Sequence, residues 1–119
     1  MRNITVIGLG AADFEQMQLG VYRKLQAATK IYVRTMDHPV LSVLQQEGMQ
    51  LQSFDAIYEK HGGFEAVYDE ITDTLIELAE QEDVLYAVPG HPLVAEKTVQ
   101  LLIDAHNRGD IHLTIEGGQ

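Results

Sequence analysis

The chain has no cysteine among its 119 residues, so it has neither a disulfide frame nor thiolate chemistry. That usage suits the cytoplasm, and a cytoplasmic location is the expectation. No uninterrupted apolar run approaches the ~18–20 residues that a membrane span needs. The opening Met1-Arg2-Asn3-Ile4-Thr5-Val6-Ile7-Gly8 is apolar only briefly before it meets a glycine loop, which is not how a signal peptide reads. Basic residues are scarce: eight Lys and Arg against eighteen Asp and Glu leave a net charge of −10. Such a surface repels phosphate backbones and anionic lipid, so neither nucleic acid nor a membrane is expected as a partner. Also missing are a Walker lysine pattern, a G-x-S-x-G elbow and a closely spaced histidine pair. No metal site is expected, and no residue is singled out as catalytic.

What is present is the composition of one soluble globular domain, 45% apolar and 22% charged. Short β-rich runs alternate with helical patterns from end to end. Ile4–Ile7 reads as the first strand, ended by Gly8-Leu9-Gly10. Asp13 is an N-cap candidate with Gln16 three residues on, and Met17, Val21, Leu25 and Ala28 then repeat at helical spacing. Lys30–Arg34 is the second strand. Pro39 suits the first turn of a helix whose apolar stripe is Val40, Val43 and Leu44, with Gly48 at the C-terminal cap. Leu51–Phe54 is a weaker strand, and Asp55–Gly63 reads as a loop. Phe64, Val67, Ile71, Leu75 and Leu78 then fall at steps of three and four, one stripe of a long helix. Val84–Val88 is continuously apolar, as in a strand buried on both faces. Leu93–Asn107 is helical, with Val99, Leu102 and Ile103 inward, and Ile111–Ile115 closes the pattern as a fifth strand.

Five strands separated by four helical segments predict parallel βαβ units with right-handed crossovers, an α/β three-layer domain with helices on both faces of its sheet. The terminal Glu116-Gly117-Gly118-Gln119 stops in a loop at the carboxyl end of a strand, where open α/β sheets build their ligand sites. This ending predicts that 119 residues are a truncation of a longer protein.

Two strand-end loops are rich in glycine or proline. Gly8-Leu9-Gly10-Ala11-Ala12-Asp13 opens like a dinucleotide fingerprint, but Asp13 puts negative charge where a pyrophosphate would bind, which argues against a nicotinamide site. A bare strand-to-helix turn explains it equally well. Val88-Pro89-Gly90-His91-Pro92-Leu93 follows the most buried strand and leaves His91 at the sheet edge; taken alone it is a rigid turn with an exposed histidine. A phospho-receiver domain wants acids directly after strand one, where this chain has Gly8-Leu9-Gly10. Asp69, Glu70, Asp73, Glu77, Glu80 and Asp83 imitate the acidic spacing of Mg²⁺-dependent nucleotide pyrophosphohydrolases. On one helix, however, Asp69, Asp73, Glu77 and Glu80 lie roughly 180° from the apolar stripe, the position of a solvated face.

Together, Ile7-Gly8-Leu9-Gly10-Ala11-Ala12-Asp13, Ile31-Tyr32-Val33-Arg34-Thr35 and Val88-Pro89-Gly90-His91-Pro92 resemble the N-terminal half of the tetrapyrrole (corrin/porphyrin) methylase family along the whole chain. Arg34-Thr35 with His38-Pro39, Phe54-Asp55 with Tyr58-Glu59, and Ile115-Glu116-Gly117-Gly118-Gln119 are similar to its YabN-like branch, in which the domain is fused to a MazG-type nucleotide pyrophosphohydrolase. The resemblance implies a five-stranded parallel sheet of order 3-2-4-1-5, and S-adenosylmethionine bound between two α/β subdomains, the first of which is this chain. It places the cofactor against Gly8, Leu9, Gly10, Pro89, Gly90, His91, Pro92 and Gly117. It implies methyl transfer to a small molecule, a tetrapyrrole in the family's usual case, and a homodimer with Tyr22, Tyr58 and Phe64 as candidate contacts. Ala11-Ala12 stands where the family has Pro-Gly, and His91 where it has Asp, so tetrapyrrole methylation itself is not implied directly. The alternative is a small-molecule-binding or regulatory module serving an attached nucleoside triphosphate pyrophosphohydrolase.

Overall fold

A computed structural model describes residues 3–9, 19–28, 30–36, 39–88 and 97–117. In chain order the elements are β1 (Asn3–Gly8), α1 (Leu19–Ala27), β2 (Ile31–Val33), α2 (Pro39–Gln46), β3 (Leu51–Ser53), α3 (Asp55–Lys60), α4 (Phe64–Ala79), β4 (Val84–Val88), α5 (Lys97–Asn107) and β5 (His112–Gly117). The five strands form one parallel sheet of order β3-β2-β4-β1-β5, as the resemblance implied.

Alternation along the strands divides the core between the two faces of this sheet. Ile4 and Val6 of β1, Tyr32 of β2, and Val84, Tyr86 and Val88 of β4 point toward α3, α4 and α5, where Val67, Ile71, Leu75, Val99 and Leu102 cover them. Ile7, Ile31, Val33, Leu85 and Ala87 point the other way and pack under Val21 and Leu25 of α1 and Val40, Leu41 and Leu44 of α2. Every residue of β4 is buried, which is why it reads as an unbroken apolar run.

Helix ends follow their chemistry. Gly48 has φ +92°, the Met49 amide donates to the Leu44 carbonyl at 3.3 Å, and the Gly48 amide donates to Gln45 at 3.0 Å. Gly109 repeats this at the end of α5 with φ +86°, its amide donating to His106 and that of Asp110 to Ala105, both at 3.0 Å. These paired bonds satisfy carbonyls that the helix leaves open, and the left-handed turn they require favours glycine.

Three expectations need correction. Asp55–Gly63 is not all loop, because Asp55–Lys60 forms α3; six residues are too few for an apolar period to show. The helices therefore number five among the described residues, not four. Phe64 does not join the buried stripe of α4: it is the first residue of the helix, 68% exposed, and its ring stacks instead on Tyr68. Val43 and Ile103 are half-buried, while Leu41 and Ala105 take fully buried places beside the predicted neighbours. Asp69, Asp73, Glu77 and Glu80 are all exposed, as a solvated face requires. The Asp13 cap and the helical start at Leu93 lie outside the described residues. No helix among those residues is long and apolar enough to cross a membrane.

Candidate functional site at the carboxyl ends of the strands

Register aligns the ends of three adjacent strands, β4, β1 and the edge strand β5. Gly8 is level with Val88 on one side and Gly117 on the other, so two glycines and the last residue of β4 finish side by side. The Leu9 amide donates to the Val88 carbonyl at 2.8 Å and extends this pairing by one residue. Leu9 turns its side chain into the α1–α2 core, where it is 4% exposed, so what it offers a ligand at the strand end is backbone. Glycine at 8 and 117 leaves two adjacent strand ends without side chains, the residue type that close backbone approach requires. On β5, Glu116 forms an ion pair with Lys24 of α1. Gly10 and Pro89, Gly90, His91 and Pro92 lie outside the described residues; the chain leaves for them directly from Leu9 and from Val88.

β2 extends the same edge. The Arg34 amide donates to the Ala87 carbonyl at 3.3 Å, so the residue after β2 stands beside the end of β4. Its guanidinium Nη1 lies 3.4 Å from the Tyr58 hydroxyl on α3. The Asp55 carboxylate accepts a hydrogen bond from the Met36 amide at 3.1 Å. Partial burial works against the charge on Asp55, but the Met36 amide, the Thr35 and Ser53 hydroxyls and the Arg34 charge outweigh it and hold the carboxyl below its ordinary range. Arg34, Asp55 and Tyr58 thus form a connected group at the ends of β2 and β3. Reading the residues singly missed this grouping. The strand order makes it inevitable, since neighbouring parallel strands bring their following residues together.

Beyond α3, Glu70 accepts from His61 at 2.7 Å and from Lys60 at 3.1 and 3.2 Å. The His61 hydrogen bond and then that of Lys60 hold Glu70 below the usual carboxylate range. Tyr58, His61, Gly62, Gly63, Phe64 and Val67 line a cavity of about 210 Å³ at this end of the sheet. A larger hollow of about 550 Å³, lined by Gln26, Glu47 and Met49 among others, lies at the opposite end, away from every predicted site residue that is described. Tyr22, a candidate dimer contact, borders that opposite end and donates to Glu47.

Comparison with known proteins agrees with this architecture. Residues 3–116 match the family described as Tetrapyrrole (Corrin/Porphyrin) Methylases. An uncharacterized Bacillus subtilis protein, YabN, is 53% identical over 116 residues, covering 98% of this chain and 24% of that protein. The chain therefore spans about a quarter of the length of that relative. Among solved structures, uroporphyrin-III-C-methyltransferase from Thermus thermophilus superposes with a TM-score of 0.67 at 24% identity, covering 99% of this chain and 48% of that one. A diphthine synthase gives a TM-score of 0.69 at 23% identity, covering 97% and 43% respectively. At those identities the superpositions establish the fold. The profile match across nearly the whole length establishes more: the chain belongs to the tetrapyrrole (corrin/porphyrin) methylase family.

Proposed function

We propose that this chain is the N-terminal half of an S-adenosylmethionine-dependent methyltransferase domain within a longer protein, with Gly8, Leu9, Gly10, Pro89, Gly90, His91, Pro92 and Gly117 facing the cofactor. The observation that supports this reading most is the level ending of Gly8, Val88 and Gly117, a side-chain-poor edge at the position where parallel sheets bind ligands. When bound, S-adenosylmethionine supplies an electrophilic methyl group on its sulfonium. The chain's own task is then to bind and orient. Gly8 and Gly117 admit close backbone approach, Leu9 anchors the first loop through its buried side chain, and Val88 launches the second. Such a transfer needs an in-line approach and little proton movement, and positioning alone supplies up to about 7–11 kcal/mol in favourable cases.

On this reading the isolated chain transfers no methyl groups, because the cofactor's second wall is elsewhere in the longer protein. The missing wall also leaves apolar surface that favours a two-fold dimer. Sedimentation equilibrium tests this, and a single 13.3 kDa species at all concentrations argues against it.

A second reading draws support from the shortage of cations. Near the strand ends the described cations are Arg34, which already contacts Tyr58 and stands near Asp55, Lys60, which is paired with Glu70, and Lys97 at the start of α5. A tetrapyrrole with many carboxylates finds little positive charge here, which suits a small-molecule-binding module regulating an attached MazG-type pyrophosphohydrolase. Measuring methyl transfer and nucleoside triphosphate hydrolysis by the longer protein, each with and without S-adenosylmethionine, separates the two. Methyl transfer supports the first reading, and a change in hydrolysis alone supports the second.

A further inference from the structure

Phe64, an exposed phenylalanine, lines a cavity between α3 and α4. Phe64 is 68% exposed, and its ring lies stacked on Tyr68 with centroids 6.2 Å apart and planes inclined by 17°. Its other neighbours are the lining groups of the cavity of about 210 Å³ between α3 and α4. Cavities of about 150 Å³ accept one benzene ring, so this one suits a single ring and is far too small to enclose a macrocycle. Tyr58 is shared between two environments: its side chain lines the cavity, while its hydroxyl meets Arg34 Nη1 at 3.4 Å. Arg34 does not line the cavity itself but stands one side chain away from it, across the Tyr58 hydroxyl.

We propose that this corner is a binding site for a monocyclic aromatic oxyanion, an aryl carboxylate or aryl phosphate, whose ring enters between Tyr58, His61 and Phe64 and whose anionic group meets Arg34. The ring is favoured by apolar and stacking contact with Phe64. The anion is favoured by a guanidinium whose planar fork matches carboxylate and phosphate oxygens. Glu70, the acid that touches this wall, is bound by Lys60 and by His61, whose Nε2 donates to it, so its charge is offset where the ligand would approach. Asp55 acts as a positioning residue: by binding the Met36 amide it holds the 34–36 segment against α3, and with it the guanidinium near Tyr58. The site does not depend on S-adenosylmethionine or on methyl transfer.

The test is amide-resolved NMR titration of the ¹⁵N-labelled chain with benzoate, phenyl phosphate, benzyl alcohol and inorganic phosphate. Benzoate or phenyl phosphate should shift the amides of His61, Gly62, Gly63 and Phe64, and bind at least about fivefold more tightly than either benzyl alcohol or phosphate alone. Whichever anion binds more tightly identifies the preferred oxyanion. Phe64→Ala removes an exposed ring and should fold normally, yet weaken the anions by about fivefold or more. Arg34→Gln should remove the preference for benzoate over benzyl alcohol, and Arg34→Lys should restore part of it if the glutamine variant folds poorly. The proposal is overturned if the aromatic anions shift none of these amides at tens of millimolar, or if benzyl alcohol or phosphate binds as tightly as they do. Unchanged affinity in Phe64→Ala overturns it as well.

Discussion

The Asp55 carboxylate accepts a hydrogen bond from the Met36 amide at 3.1 Å, joining the first turn of α3 to the segment that follows β2. This contact spans 19 residues and lies beside the meeting of Arg34 with Tyr58. Asp55→Ala leaves the amide without its acceptor, and a hydrogen bond to a charged group contributes about 1.5–3 kcal/mol. Urea denaturation at neutral pH should therefore show a loss of that order.

The same carboxylate makes a pH prediction. Its folded pKa is held below the unfolded value of about 3.9, so its contribution is fully present above that value and is lost as pH falls through the lower, folded pKa. Glu70 is shifted in the same direction, so wild-type stability should drop on the acid side of about pH 4 through both groups. The difference between wild type and Asp55→Ala isolates the first. That difference should shrink toward zero in strong acid when thermal melts are compared across pH.

Glycine substitutions should separate by backbone conformation. Gly48 and Gly109 have positive φ with open space where a Cβ would stand, so Gly48→Ala and Gly109→Ala suffer from conformation and not from clash. Each should cost about 1–2 kcal/mol. Gly20 in α1 also faces open space, without a positive φ, and Gly20→Ala should stabilise by about 0.5–1 kcal/mol. Denaturation midpoints of the three variants give the comparison.

α4 offers a contrast between its two faces. Leu75 is fully buried and Leu75→Ala should cost about 2–5 kcal/mol. Asp73→Asn and Glu77→Gln, on the exposed face, should each stay within about 0.5 kcal/mol. Added Mg²⁺ should leave the melting temperature of wild type and of both acidic variants alike, since the carboxylates face solvent on one helix.

The long-range order was legible where burial imposes a period. β4 announces itself as five apolar residues, and α4 by the steps Val67, Ile71 and Leu75. Gly48 and Gly109 stand where helix-ending glycines belong, and both adopt the left-handed turn. α3 was not legible, because its six residues include no buried one and its start at Asp55 is fixed by contact with Met36, a partner distant in sequence. Phe64 misled because it keeps helical spacing with Val67, yet as the first residue of α4 it is exposed while Val67, Ile71 and Leu75 are buried. At the candidate site, Gly8 and Gly117 could be picked out as strand-end glycines, but only the parallel register brings them level. The cluster of Arg34, Asp55 and Tyr58 likewise depends on β2 and β3 being neighbours.

The central claim is that the edge formed by Gly8, Val88 and Gly117 faces S-adenosylmethionine. Hydrogen–deuterium exchange of the longer protein, with and without saturating S-adenosylmethionine, tests it most directly. The account predicts slowed exchange in peptides covering 8–10, 89–92 and 115–117, with no change around Glu47–Gln50 at the opposite end of the sheet. Protection confined to other segments, or no protection anywhere at saturating cofactor, would contradict it.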